Sequence, residues 1–313
     1  MDPITHVVVG AALAVVGGAE VSLTSPVLMV TTLGAVAPDM DIIYQYWGHY
    51  AYLKHHRGIS HSLPGLLAFA SLISGLLSMV FPGTSFFMLF LWAFLGGLSH
   101  TFLDLLNSYG VMIFYPFSRK KYTLNLLMIT DPVLIGFSLA LIYAGWRKSI
   151  LVFPLFLIII GYLILRLAMR RKAERLINGY YGASIEKLVV MPAFSSLINW
   201  DFIVRVNNKN IVGQINIITG KIKIHKRLKL RKEALKEILE KTKIGKFFKE
   251  FTPLLHIDYR IEGNKIIGRF TDLRYYVRNG FLHQATVILD NSSYQVEKAL
   301  FQPYNPKNKI EIR

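Results

Sequence analysis

The chain reads as an α-helical polytopic membrane domain followed by a soluble α+β domain dominated by antiparallel strands. Three observations carry that reading. Of 313 residues 53% are hydrophobic, mean hydropathy is +0.39, and long runs carry no charge, as a bilayer demands. Charge is lopsided: residues 1–169 hold 8 Lys/Arg against 6 Asp/Glu and residues 170–313 hold 28 against 13, so most of the net +17 lies in the tail. Finally, the patterning changes past Arg170-Arg171-Lys172, from continuous apolar runs to short, β-branched, often alternating segments. The expected division is a helical membrane domain over 1–169, a basic linker over 170–184 and a basic α+β domain over 185–313.

Six apolar segments organise the first part, over 4–19, 26–37, 63–81, 86–106, 129–145 and 150–168. Asp2-Pro3 opens the first as an N-cap with proline at the first helical position. The start has no basic n-region and no cleavage site after Gly17-Gly18-Ala19, so it is not expected to be a signal peptide. The first two segments are short for full spans and are expected to tilt or form a re-entrant hairpin. The loop with Lys54 and Arg57, the loop with Arg119, Lys120 and Lys121, and the basic tail fall on one side of a six-segment arrangement; the other side has only Arg147 and Lys148. The positive-inside rule makes the richer side cytoplasmic, together with both termini, in a multi-pass cell-membrane protein.

The tail is expected to form strands over 186–192, 200–206, 211–218, 221–227, 257–262, 264–271, 284–290 and 294–300, and one amphipathic helix over roughly 230–250. Asn207-Asn208, Thr219-Gly220 and Gly263-Asn264 supply turns. With no Gly-rich phosphate loop and no nucleic-acid motif, a nucleic-acid partner is not expected. The basic surface suits anionic lipid headgroups, or is simply solvated. His225, His256 and His283 are expected to be surface or core histidines, leaving the tail without a catalytic residue.

The chemistry is concentrated in the first part. Cysteine is absent, so any metal is left to imidazole and carboxylate. Lys54-His55-His56-Arg57-Gly58-Ile59-Ser60-His61-Ser62 precedes an apolar segment, and His6, Asp39, Asp41, His100, Asp104 and Asp131 lie at the same ends of neighbouring segments. Ionisable groups at membrane depth are costly and persist where they pair, bind ions or line a cavity. His100 and Asp104 stand i, i+4, on one helical face; Asp39 and Asp41 would share a side if that stretch is extended. His61 is expected beside exposed N–H groups of a helix start, with Arg57 as a bidentate phosphate clamp. Quieter readings exist: Asp2 and Asp131 as N-caps, His49 as an interfacial residue.

The motifs Asp2-x-x-Thr5-His6, Pro38-Asp39-x-Asp41, His55-His56-Arg57-Gly58-x-Ser60-His61-Ser62 and His100-x-x-x-Asp104 resemble the YdjM/YfhP-type family of membrane-bound metal-dependent hydrolases, also labelled LexA-binding, inner membrane-associated hydrolases. The resemblance covers about residues 1–135, and the tail resembles that of the longer members. It implies a hydrolase. The order of ligand types is also similar to zinc-dependent phospholipase C, which implies Asp104 as a bridging ligand with His6, Asp41, His61 and His100 around it. The later His-x-x-x-Glu pair of that family is missing, which leaves one or two ions, zinc foremost and manganese second. Asp39, His56 and Arg57 are then expected to act in catalysis on a phosphoester of a membrane lipid or lipid-linked substrate. The alternative is a non-enzymatic, metal-stabilised scaffold or regulator that binds a cytosolic partner through its basic tail.

Overall fold

The computed structural model describes residues 1–231, 233–277, 280–304 and 307–312. These divide into two compact units, Met1–Ala168 and Met169–Arg313.

The first unit is helical. Its helices are α1 (Pro3–Val16), α2 (Pro26–Val36), α3 (His49–His55), α4 (Leu63–Val80), α5 (Phe86–Leu106), α6 (Pro132–Trp146) and the start of α7 (Val152–Tyr181). Several starts repeat one device, a capping side chain with proline in the first turn. Asp2 accepts from Thr5 N, Ser25 from Leu28 N, Ser62 from Gly65 N and Asp131 from Val133 N and Leu134 N. Among the described residues, four helical stretches are long and apolar enough to cross a membrane: Pro26–Trp47, Leu63–Val80, Phe86–Leu106 and Val152–Ser184. Pro3–Val16 and Pro132–Trp146 are shorter.

The second segment departs from expectation. Pro38 does not end it; α2 passes into a 3-10 helix over Ala37–Trp47. A 3-10 helix advances about 120° per residue, so residues two apart diverge. Asp39 and Asp41 therefore face different neighbours instead of sharing the side an extended strand would give them.

Small residues set the distance between α2 and α5. A Cβ on Gly34 would fall 2.1 Å from the Ala93 carbonyl oxygen, and one on Gly96 would fall 2.1 Å from that of Thr31. Such close backbone approach is how helices associate where lipid removes the hydrophobic drive. It brings the end of α2 against His100, one turn beyond Gly96.

The second unit has no basic linker at 170–184. The helix α7 continues to Tyr181, and its Ala173 and Ile177 are fully buried in the core of the first sheet with Val190, Trp200, Phe202 and Ile215. That sheet is an antiparallel meander of β1 (Ile185–Pro192), β2 (Asn199–Val206), β3 (Lys209–Asn216) and β4 (Ile222–Lys229). The predicted 230–250 helix is two: α8 (Glu233–Lys241) and α9 (Lys243–Phe251). Thr242 ends one by its N–H to Leu239 O and starts the other by capping Gly245 N. A Cβ at Gly245 would lie 2.2 Å from Leu239 O, so the junction requires glycine.

The second sheet contains β5 (Leu255–Glu262), β6 (Lys265–Asp272), β9 (His283–Asp290), β10 (Val296–Pro303) and β11 (Ile310–Glu311), in the order β11-β10-β9-β6-β5; the pair β7 (Tyr276–Val277) and β8 (Gly280–Phe281) stands apart. On β9, burial alternates residue by residue. Phe247 and Phe248 of α9 pack on Phe301 of this sheet, Phe248 also on Phe270, and Phe251 meets His283 of β9.

Candidate metal centre

The predicted residues meet at the end of the helical unit where α5 finishes and α4 begins. His6, His61, His100 and Asp104 are essentially inaccessible to solvent. His6 comes from the first turn of α1 and stacks on His100 of α5, ring centroids 3.5 Å apart. His61 Nε2 lies 3.0 Å from His100 Nε2 and 3.5 Å from Asp104 Oδ2 and Asp39 Oδ1. His100 Nε2 is also 3.5 Å from Asp39 Oδ1.

Among the described residues, three overlapping triads have ligand atoms within 4.8 Å of one another: His6–Asp39–His100, Asp39–His56–His61 and His61–His100–Asp104. The donor set of imidazole nitrogen and carboxylate oxygen fits zinc or manganese. Asp104 Oδ2 and His6 Nδ1 are buried with no hydrogen bond among the described residues, so donor capacity remains for an ion.

The tautomers follow from outer contacts. His100 Nδ1 donates to the Ala35 carbonyl oxygen at 2.7 Å, which leaves the Nε2 lone pair turned toward His61. His61 Nδ1 lies 2.9 Å from Ser60 Oγ, whose proton goes to Asp41 Oδ2 at 2.9 Å; the serine therefore accepts from Nδ1–H and Nε2 faces the centre. His56 Nδ1 donates to Asp41 Oδ1 at 2.8 Å. Such contacts fix ring orientation and raise ligand basicity. Burial disfavours a charged His61, but Asp104 and Asp39 outweigh it and its pKa is raised. At His56 burial wins over Asp41, and the ring is held neutral.

Two expectations about individual residues change. Arg57 is no free phosphate clamp. It is buried, with Nε 3.0 Å from Asp104 Oδ2 and Nη1 donating to Asn107 Oδ1 at 2.9 Å. Its backbone sits at φ 63, a costly position for any residue with a Cβ, tied by N–H to Asp41 Oδ2 and by its carbonyl to Met112 N. The helix start beside His61 is closed as well: Leu63 N is bonded to Ile113 O, Pro64 has no N–H, Gly65 N is capped by Ser62, and Leu66 N reaches Ser62 O.

Asp39 and Asp41 lie where their roles look exchanged. Asp39 belongs to two of the triads. Asp41 belongs to none, and its carboxylate is occupied by His56, Ser60 and the Arg57 amide. Asp131 stays outside the cluster, capping α6 and accepting from Tyr162 Oη at 2.9 and 2.8 Å. His55 stacks on Tyr44. Sequence reasoning passed over Asn107, which donates to Asp104 Oδ1 at 2.9 Å; its place three residues after Asp104 was the available signal. It also passed over Ser60 as the link between Asp41 and His61, and the Met1 amino group, which contacts Asp104 and lies 2.9 Å from His6 Nε2.

Fold and site together define a multi-helix membrane protein with a buried histidine–carboxylate cluster able to hold a metal ion. The chain belongs to the YdjM inner membrane protein family, which matches residues 1–173; residues 234–309 match the YfhP C-terminal alpha/beta plait domain. It is 32% identical over 201 residues to the uncharacterized protein YfhP of Bacillus subtilis (strain 168), across 61% of this chain and 62% of that protein, just under two thirds of the relative's length. No solved structure matches the chain.

Proposed function

We propose that this protein is a membrane-embedded, metal-dependent hydrolase that cleaves a phosphoester of a lipid or lipid-linked substrate at the cytoplasmic leaflet. The observation that carries the reading is the convergence of His61, His100 and Asp104, from two separate stretches of chain, with their ligand atoms on one buried point. Asp39, His6, His61, His100 and Asp104 would hold one or two ions, zinc or manganese. A bound ion supplies an activated water and polarises the phosphoryl oxygen.

The remaining chemistry belongs to the chain. Asp41 orients His56 through Nδ1–H and leaves Nε2 as a proton acceptor beside the Asp39–His61 pair. The same carboxylate, through Ser60, holds His61 in the tautomer that presents Nε2. Arg57 balances the charge of Asp104 in a buried site. The basic tail would lie against anionic headgroups.

A second reading has its own support. Arg57, Asn107 and the Met1 amino group already surround Asp104, as in a polar core that holds helices together. In that case the protein is a scaffold or regulator with a cytosolic partner.

The test is metal analysis of the purified full chain together with a phosphoester screen, for the parent and for His61→Ala. The hydrolase reading expects loss of bound metal and a fall in turnover beyond the roughly 10–100-fold that second-shell changes cost. Full metal content in His61→Ala would sink the ligand assignment, and a metal-loaded parent inactive on every phosphoester would favour the scaffold. The leaflet is tested separately: a cysteine at Ser118 should resist an impermeant thiol reagent added outside intact cells, and labelling there would reverse the topology.

A further inference from the structure

A groove of about 470 Å³ opens on the flank of the helical unit, between the 3-10 helix and α4. Its volume lies in the roughly 300–1,000 Å³ range of ligand clefts. Met40, Ile43 and Tyr44 form one wall, and Ala68, Phe69 and Leu72 the other. With Gly65, the α4 residues recur at i, i+3, i+4 and i+7, a single stripe about two turns, or ~11 Å, long. At the end nearest the start of α4 the lining changes to Asp41 and Ser60. These are the two residues that hold His56 and His61 in place, so the groove begins where the metal centre's supporting shell ends.

Local chemistry keeps the groove open. A side chain at Gly65 would meet the Ile59 carbonyl oxygen at 2.0 Å, so the lining there is backbone. Ala68 is the smallest side chain on its wall, and a larger one would fill the space. Met40, Ile43, Ile59 and Leu72 are each more than half exposed, which is costly in water and natural against hydrocarbon. An outward apolar face alone would only contact bulk lipid. A concave apolar channel with a carboxylate–serine pair at one end has the polarity of a single amphiphile.

We infer that this groove holds one acyl chain of a membrane phospholipid, seated so that the head-group end of the chain points toward the metal centre and its terminus toward Leu72. The inference rests on the hydrolase reading for what happens to the head group, and on the groove alone for the chain. It makes the substrate a lipid recognised by its tail, drawn sideways from the bilayer, rather than a soluble phosphoester entering from water.

The experiment is photolabelling of the full chain in phosphatidylcholine nanodiscs by a low fraction of phosphatidic acid with a diazirine in the half of one acyl chain nearer the head group. Labelling should concentrate on residues 40–44 and 65–72. Ala68→Trp, which fills the groove, should lower that labelling to the level of the outer face of α5, because the filled groove no longer admits a chain. Ile43→Trp on the facing wall should do the same, so the test survives misfolding of either variant. Met79→Trp, on an exposed position of α4 beyond the groove, should leave labelling unchanged. Labelling spread evenly over the outer faces of α4 and α5, and equal in parent and Ala68→Trp, overturns the inference. Turnover is scored separately. A parent labelled in the groove but inactive on phosphoesters upholds the acyl site and removes the hydrolase. A parent that hydrolyses p-nitrophenyl phosphate without focused labelling keeps the hydrolase and overturns the acyl site.

Discussion

Asp104 in the helical unit and Asp272 in the sheet unit are both fully buried carboxylates with an arginine beside them. Their surroundings differ in kind. Arg274 Nε reaches both oxygens of Asp272 at 2.9 and 3.0 Å and Nη2 reaches Oδ2 at 2.7 Å; Thr252 Oγ1 and the Arg274 amide add donors at 2.8 and 3.1 Å. Every lone pair is answered, and the pair is closed. Asp104 has Arg57 Nε at 3.0 Å but no well-formed hydrogen bond to Oδ2 among the described residues, and imidazole nitrogens of His61, His6 and His100 stand 3.5–3.9 Å away. A structural pair consumes its donors. Asn107 and the Met1 amino group take Oδ1, but the Asp104 cluster keeps imidazole and carboxylate lone pairs close together, which leaves it able to hold a metal ion.

The comparison can be broken most sharply at the α2–α5 contact. Gly96→Val should push α2 away through Thr31, separate Asp39 from His100, and abolish metal retention while Asp272 is untouched. Metal analysis checks it, and unchanged metal content would mean that the close approach is not what assembles the site. A smaller effect is expected at the closed pair. Asp272→Asn leaves Arg274 buried and uncompensated and should cost the sheet unit about 3–5 kcal/mol with no loss of metal. Hydrogen exchange on β6 and β9 of the full chain measures it, and a near-neutral result would make the pair dispensable.

Two titrating groups in the sheet unit sharpen the contrast further, with opposite signs. Burial pushes His283 down to about 4, so its contribution is fully present above the ordinary histidine value of 6.5 and is lost as pH falls toward 4. Protection of β9 amides, corrected for intrinsic exchange, should drop by about 3 kcal/mol over that interval, and His283→Phe should flatten the drop. Burial pushes Asp201 up to about 6 against the opposing Gln214 hydrogen bond at 2.9 Å, so the native state favours its protonated form and stability declines as pH rises from 4 through 6. Asp201→Asn should therefore stabilise β2 and β3 at pH 7.5 by about 2 kcal/mol and do little at pH 4. A destabilising effect at pH 7.5 would show that the ionised carboxylate is the favoured form.

Much of this protein was legible in its residues because the signals are local. Apolar runs, capping pairs such as Asp131-Pro132, and alternation on β9 report their own periodicity, and the eight main strands lie within three residues of their predicted positions. His100 and Asp104 share a face because a helix repeats every 3.6 residues, and no fold is needed to know it. Gathering of His and Asp at one end of the helical unit was likewise readable from where those residue types stop each apolar run.

What the sequence could not settle is which way each side chain turns once backbones meet. The 3-10 continuation at Ala37–Trp47 aims Asp39 at His61 and His100 and hands Asp41 to His56 and Ser60; an extended strand would have sent both the same way. Arg57 reads as a phosphate clamp by composition and becomes a counter-charge because Asp104 and Asn107 close on it. The α7 residues Ala173 and Ile177 read as linker until a sheet packs on them. Residue type and period determine the elements and the ligand inventory. Ligand geometry depends on contacts between stretches far apart in sequence, and only the tertiary structure fixes those distances.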